Sequence, residues 1–291
     1  MSAEPTTRIV RLGPGDEGRL DAYLALHPAT SLFLRSNIRR AGLEDRGQRY
    51  QGRYAALVDD AGLVHGVVSH AWNGNLLIQA EPADAVILAR FHMAAGDRQV
   101  QGIIGPLPAV RAVQSLLADR PLLKDGAEDL FDLRLTDVQL PPRLSGEVMS
   151  WRRAREGDLP LLSQWRCDYC LETLGEADDE ALRARAMADV TAWVAAGDVF
   201  LITGPDGTPL SMATHNARIP DTVQIGGVWT PVRLRGQGLA RAAVAAALLA
   251  AREDGAKTAV LFTGKENAPA RRAYLALGFR IIGDYGIVLL G

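Results

Sequence analysis

The chain repeats itself in part, and that repeat is its strongest constraint on fold. Arg11–Leu24 (RLGPGDEGRLDAYL) returns as Arg152–Trp165 (RRAREGDLPLLSQW). Each copy reads as a short strand, a Gly-Asp helix start and an amphipathic helix, with Asp16 and Asp158 expected to cap first-turn amides. Tyr54–His70 (YAALVDDAGLVHGVVSH) returns as Val199–His215 (VFLITGPDGTPLSMATH). Here each copy reads as strand, tight turn, strand, with turn chemistry at Asp60-Ala61-Gly62 and Asp206-Gly207. Asp16 and Asp158 lie 142 positions apart, and His70 and His215 lie 145 apart. Two similarities in order at nearly equal spacing imply duplication. The 291 residues suit two domains. A boundary is expected in Leu140–Gly146, where Pro141-Pro142 stops regular structure. The two lobes would then span 1–143 and 147–291.

Composition narrows the function classes. With 32 basic against 34 acidic side chains, the net charge is −2. That balance excludes a broad surface for nucleic acid or an anionic membrane, though not a local basic pocket. The longest uncharged apolar run, Ala242–Ala251, is ten residues, well short of the ~20 that span a bilayer. The opening MSAEPTTRIVRLG lacks the layout of a secretory signal. Two cysteines cannot make a disulfide framework. A cytoplasmic protein is expected.

The second half has the clearer pattern. Asp221–Trp229 reads as a strand, weakened at Gly226-Gly227, and glycine there suggests a bulge or a close approach. Arg241–Glu253 is a helix rich in alanine, ended by Asp254-Gly255. Thr258–Thr263 is a buried strand, and Asn267 opens a helix running to Leu277. Arg280–Gly283 and Gly286–Leu290 read as two final strands. The order implies an α/β fold with a central sheet.

Between strand and helix lies Arg235-Gly236-Gln237-Gly238-Leu239-Ala240. Two glycines at a helix N-terminus let backbone amides approach a ligand. With the helix dipole they form an anion site suited to a pyrophosphate. Arg233, Arg235 and Arg241 add positive charge. The turn matches neither GxxxxGK[ST] nor GxGxxG, so P-loop and Rossmann readings are disfavoured. Taken alone, it could also be an exposed turn that merely starts a helix.

Downstream context adds specificity. Arg235, Gly238 and Ala240 match [Q/R]-x-x-G-x-[G/A], and Trp229-Thr230-Pro231 precedes them. Asn267, Ala270, Tyr274, Gly278 and Phe279 match N-x-x-A-x-x-x-Y-x-x-x-G-F. In these motifs the chain resembles the GNAT superfamily of acyl-CoA-dependent N-acyltransferases. Its VWTP, LFTGKEN and YLALGF wording is similar to bacterial proteins grouped with glycine N-acyltransferase. The resemblance covers Trp151–Leu290 directly, and Arg8–Leu140 only through the repeat.

The resemblance implies two GNAT-like lobes, each a mixed, mostly antiparallel sheet flanked by helices. It implies acetyl-CoA as co-substrate, no metal, and an amine acceptor that is a small molecule, an amino acid or a peptide. Backbone groups of Val228, Trp229 and Thr230 would pair with the pantetheine amides. Those of Arg233, Leu234, Arg235, Gly236, Gln237, Gly238, Leu239, Ala240 and Arg241 would hold the pyrophosphate. Asn267 and Ala270 would contact the cofactor arm, and Tyr274 would protonate the departing thiolate. Gln224 stands where some family members carry a basic carboxylate, which leaves His215, Glu172 or a water chain as candidate bases. The first lobe lacks the Gly/Arg turn: Asn75–Gln79 runs straight into Glu81-Pro82-Ala83. It is expected to bind no CoA and to shape the acceptor cleft or support the second lobe. Transfer of a longer acyl group, or acyl-CoA binding without catalysis, are the alternatives. No nucleic-acid or membrane partner is expected, and the protein would be a monomer or homodimer.

Several of these residues also have structural readings. Tyr274 could pack on the sheet, Asn267 could be only a helix cap, and His215 could be an ordinary strand-end histidine. Cys167 and Cys170 read as structural, since no further cysteines complete a zinc site. Trp72, Trp151, Trp165, Trp193 and Trp229 read mostly as core.

Overall fold

A computed structural model describes residues 7–144 and 149–291. Ser145 and Gly146 of the expected linker, and position 147 where the second lobe was expected to begin, lie outside the described residues. The chain forms two compact units, 1–128 with 284–291, and 129–283.

The first unit runs β1 (Thr7–Leu12), α1 (Glu17–Leu24), α2 (Leu32–Ala41), β2 (Gly52–Asp59), β3 (Val64–Ala71), β4 (Asn75–Gln79), α3 (Pro82–Ala94), β5 (Gly102–Pro106), α4 (Leu107–Gln114) and then β6 (Leu122–Arg134). The second runs β7 (Ser150–Arg153), α5 (Leu159–Tyr169), α6 (Glu180–Ala195), β8 (Val199–Thr203), β9 (Pro209–Ile219), β10 (Thr222–Trp229), α7 (Leu239–Glu253), β11 (Thr258–Gly264), α8 (Ala268–Leu275) and then β12 (Arg280–Leu290). The two runs are the same sequence of elements, as the repeat implied. β1 to β4 pair antiparallel and β4 pairs β5 parallel. Likewise β7 to β10 pair antiparallel and β10 pairs β11 parallel. Each unit is therefore a mixed, mainly antiparallel sheet flanked by helices.

Three expectations change in detail. The two final strands are one, β12, whose Tyr285–Leu289 pair with β5. The units divide within β6 and β12 rather than at the proline pair, because long-range strand pairing decides where a strand belongs and loop composition does not record it. Pro142–Leu144 does break into a short 3₁₀ turn. The carboxylates of Asp16 and Asp158 cap nothing in the first turn. Each accepts the amide three residues upstream, from Gly13 and Arg155, both at 2.9 Å, and so fastens the incoming strand to the helix. Arg152 holds Asp158 with two further bonds of 2.6 and 2.8 Å.

Helix α7 organises the second unit. Ten of its fifteen residues are buried, seven of them alanine. Small side chains let the helix lie close on the sheet, and alanine has the best helix propensity. Its core partners include Phe200, Ile202, Ala213, Val223, Ile225 and Leu261 from the strands, with Tyr274 and Leu277 from the α8 region. On the other sheet face, α5 and α6 cover Leu201, Met212 and Trp229 with Leu162, Trp165 and Val190.

Candidate active site

The site is built where β10 and β11 part. Their parallel pairing covers only Thr222–Gln224 against Thr258–Val260. Beyond Gln224 the β10–β9 register shifts twice, and neither ladder includes Gly227 or Val228. The glycines permit this bulge. A Cβ on Gly226 would sit 2.0 Å from Asn216 Nδ2, and Gly227 has φ +54° with Thr214 Oγ1 2.6 Å from its would-be Cβ. Thr214 Oγ1 donates to the Gly226 carbonyl at 2.9 Å. Backbone groups of half-buried Gly227 and Val228 thus lie outside both ladders, where an extended ligand could pair with them.

Eight residues on, the turn presents amides in the same unit. Gly236 and Gly238 adopt φ of +76° and +77°, and a Cβ on either would meet nothing within 4 Å. Gly238 is the N-cap of α7. The first α7 bond is Ala242 N–H to the Gly238 carbonyl. Leu239, Ala240 and Arg241 therefore offer amides with no intrahelical acceptor, at the positive end of the dipole. The Arg241 Nε is buried without a hydrogen-bond partner. These features fit a pyrophosphate.

The arginine opening the turn faces elsewhere. Arg235 binds Glu172 with both terminal nitrogens, at 2.8 and 2.9 Å, and donates its Nε to the Thr230 carbonyl at 3.0 Å. Its guanidinium also lies 5.0 Å from the Trp229 ring centroid. Glu172 sits on a π-helical turn, Cys170–Leu174, that extends α5, and turns of this type recur at functional sites. Thr230 is buried, its hydroxyl 2.8 Å from Ser211 Oγ, and Ser211 donates to the Trp229 carbonyl. Arg233 and Gln237 are exposed and Leu234 is half-buried.

The second motif folds as expected. Asn267 caps α8, its side chain accepting the Ala270 amide at 3.2 Å. Tyr274 is 8% exposed, edge-on to Phe131 at 5.8 Å and Phe279 at 6.1 Å. It is thus a core aromatic as well as a motif residue. Gly278 has φ +98° and a would-be Cβ 2.9 Å from the Asp137 carbonyl, so the turn after α8 requires glycine.

Of the two candidate bases, one is deeply buried and the other is held in an ion pair. His215 is 1% exposed, donates Nε2–H to the Ala247 carbonyl at 3.0 Å and packs on Phe200. Burial pushes its pKa down to about 4. Its Nδ1 is buried without a hydrogen-bond partner, and Glu172 is paired with Arg235. Sequence reading passed over the detail at Gln224. Its Oε1 is buried without a partner, at the last position of β10 that pairs with β11, while its Nε2 donates to the Ile225 carbonyl. A lone polar residue in a strand centre was the available signal. Among the described residues no group of acidic, histidine or cysteine side chains could hold a metal, and no helix is long and apolar enough to cross a membrane.

Residues 159–279 match the model of the acetyltransferase (GNAT) family, so this stretch of the chain is similar to that family. Solved structures share the fold over nearly the whole chain. A GNAT-family acetyltransferase from Colwellia psychrerythraea is 13% identical, with coverage of 97% of this chain and 98% of its own and a TM-score of 0.56. A tandem GNAT protein from the clavulanic acid biosynthesis pathway is 12% identical, with 98% of each chain covered and a TM-score of 0.56. A GCN5-related N-acetyltransferase from Sphaerobacter thermophilus is 12% identical over 97% of this chain and 94% of its own, at TM-score 0.58. A search of curated protein sequences finds no match.

Proposed function

We propose that the chain is a cytoplasmic, acetyl-CoA-dependent N-acetyltransferase with its cofactor site in residues 129–283. The acceptor is a primary amine of a small molecule, an amino acid or a peptide. The observation that carries this reading is the parting of β10 and β11 at Gln224, followed in the same unit by the open glycine turn of α7. The first unit is a second GNAT-like lobe that keeps the element order. It lacks the glycine turn, since its α3 starts at Pro82 directly after Glu81.

When bound, acetyl-CoA supplies the activated thioester carbonyl. The amides of Gly236 through Arg241 hold the pyrophosphate, and backbone groups of Gly227–Thr230 pair with the pantetheine arm. Asn267 orders the α8 start beside that arm. The Tyr274 phenol gives its proton to sulfur as the carbon–sulfur bond breaks, an acid role worth about 10²–10⁴ in rate. The buried Gln224 Oε1 accepts from the incoming amine, and water takes the proton that the amine loses.

The deep burial of His215 and the ion pair of Glu172 with Arg235 favour one second reading, an acyl-CoA-binding protein without catalysis. Calorimetry with acetyl-CoA tests the site: saturable binding at sub-millimolar concentration is expected, and no binding at millimolar concentration by folded protein overturns it. Thiol release across a panel of amines and acyl-CoAs then separates catalysis from binding alone and short acyl groups from long.

A further inference from the structure

The first unit holds a cavity of about 190 Å³ on the α3 side of its sheet. For scale, an apolar cavity of about 150 Å³ holds benzene. Leu43, Phe91 and Ala95 give it apolar walls; Arg11, Asp45 and His70 give it polar ones.

The charges leave one cation over. Asp45 is paired with Arg53 at 3.0 Å and Arg98 at 2.9 Å, and Arg53 also reaches Asp97. Those two carboxylates balance those two guanidiniums. Arg11 lies 5.4 Å from the Phe91 ring centroid and makes no ion pair among the described residues. The histidines bring no charge. Burial, with Arg98 beside it, lowers the His70 pKa, and burial takes His92 down to about 4. His92 donates Nε2–H to the Val68 carbonyl at 2.9 Å.

Two polar atoms of the lining have no hydrogen-bond partner, Tyr54 Oη and His70 Nε2. His70 is 2% exposed, and its Nε2 has no hydrogen-bond partner. A neutral imidazole carries one donor and one acceptor nitrogen, and a ligand hydroxyl can serve either. A buried polar atom without a partner costs about 1–3 kcal/mol, so it marks where such a hydroxyl belongs.

We propose that this cavity binds a small hydroxy-carboxylate monoanion. Its carboxylate pairs with Arg11, whose planar fork matches two oxygens. Its hydroxyl pairs with His70 Nε2, and its apolar part lies against Phe91 and Leu43. The single surplus charge suits a monoanion over a phosphate dianion. An ammonium in place of the hydroxyl would leave the surplus charge of Arg11 unbalanced. The site is independent of the acetyl-CoA reading, because every residue in it belongs to the first unit.

The test is a titration of the full chain, ¹⁵N-labelled at histidine, with mandelate. Saturable movement of the His70 resonances at millimolar concentration is expected. Phenylacetate, which lacks the hydroxyl, mandelamide, which lacks the charge, and phenylglycine, which carries an ammonium, should each bind about tenfold more weakly or worse. Arg11→Ala should cost mandelate about tenfold. Ala95→Trp, filling the cavity from an exposed position, should abolish binding with the fold intact by circular dichroism. No saturable shift at 20 mM mandelate, about twenty times the expected half-saturation, overturns the proposal. Equal affinity across the four probes, or full affinity in folded Arg11→Ala and Ala95→Trp, overturns it equally.

Discussion

Arg235 and Glu172, 63 residues apart, form a two-pronged ion pair at 2.8 and 2.9 Å that ties the π-helical end of α5 to the turn before α7. Both side chains are more than a third exposed, so solvent screens the pair and its worth to stability is below about 1 kcal/mol. Its effect should fall on geometry. Glu172→Gln is expected to leave the melting temperature nearly unchanged and to weaken acetyl-CoA binding severalfold, because Arg235 loses the anchor that orients the turn. Calorimetry on the variant measures both.

The two bulge glycines should differ. In Gly226→Ala the new methyl meets the flexible end of Asn216, which can swing aside at about 1 kcal/mol. Gly227→Ala combines φ +54° with the branched Thr214 side chain, for about 2–3 kcal/mol. Denaturant unfolding should rank Gly227→Ala as the less stable, and it should also lose more acetyl-CoA affinity. The reverse order would place the arm elsewhere.

Tyr274→Phe keeps the ring contacts with Phe131 and Phe279 and removes only the hydroxyl. Turnover should fall about 10²-fold or more, with cofactor affinity and melting temperature close to the parent's. Unchanged turnover removes Tyr274 from the acid role and leaves it as packing.

Stability should fall on acidification because of His215 and His92. Burial holds both near pKa 4 in the folded chain, against about 6.5 when unfolded. Between these values the unfolded chain binds more protons, so stability rises with pH there. The contribution is fully present above about pH 6.5 and is lost as pH falls through about 4, up to about 3 kcal/mol for each histidine. Melting temperatures from pH 7 to 4 should drop steeply. His215→Gln should flatten that slope, and a slope equal to the parent's would contradict the buried neutral ring.

Much of the architecture was legible because it depends on local chemistry. Helix starts, the Gly207 and Gly62 hairpin turns and the alanine helix follow from nearby residues. The duplicated element order showed through similarity at a fixed spacing. Gly236, Gly238 and Asn267 were readable for the same reason, since a positive φ or a helix cap needs only a few neighbours. Strand pairing and side-chain direction were not legible. Nothing in Asp129–Arg134 or Asp284–Leu290 announces which unit each end joins, because hydrogen bonding between strands distant in sequence leaves no local mark. A basic residue in a glycine turn looks like a ligand for phosphate, yet only the packed structure turns Arg235 toward Glu172. His215 looks like a base until the sheet buries it beneath Ala247. Sequence by itself determined the elements, their duplication and the backbone shape of the glycine turn. Tertiary structure alone decided which polar atoms are spent inside the fold and which, as at Gln224, Arg241 and His70, have no partner within it, because partnering is set by distances between residues the chain brings together from far apart.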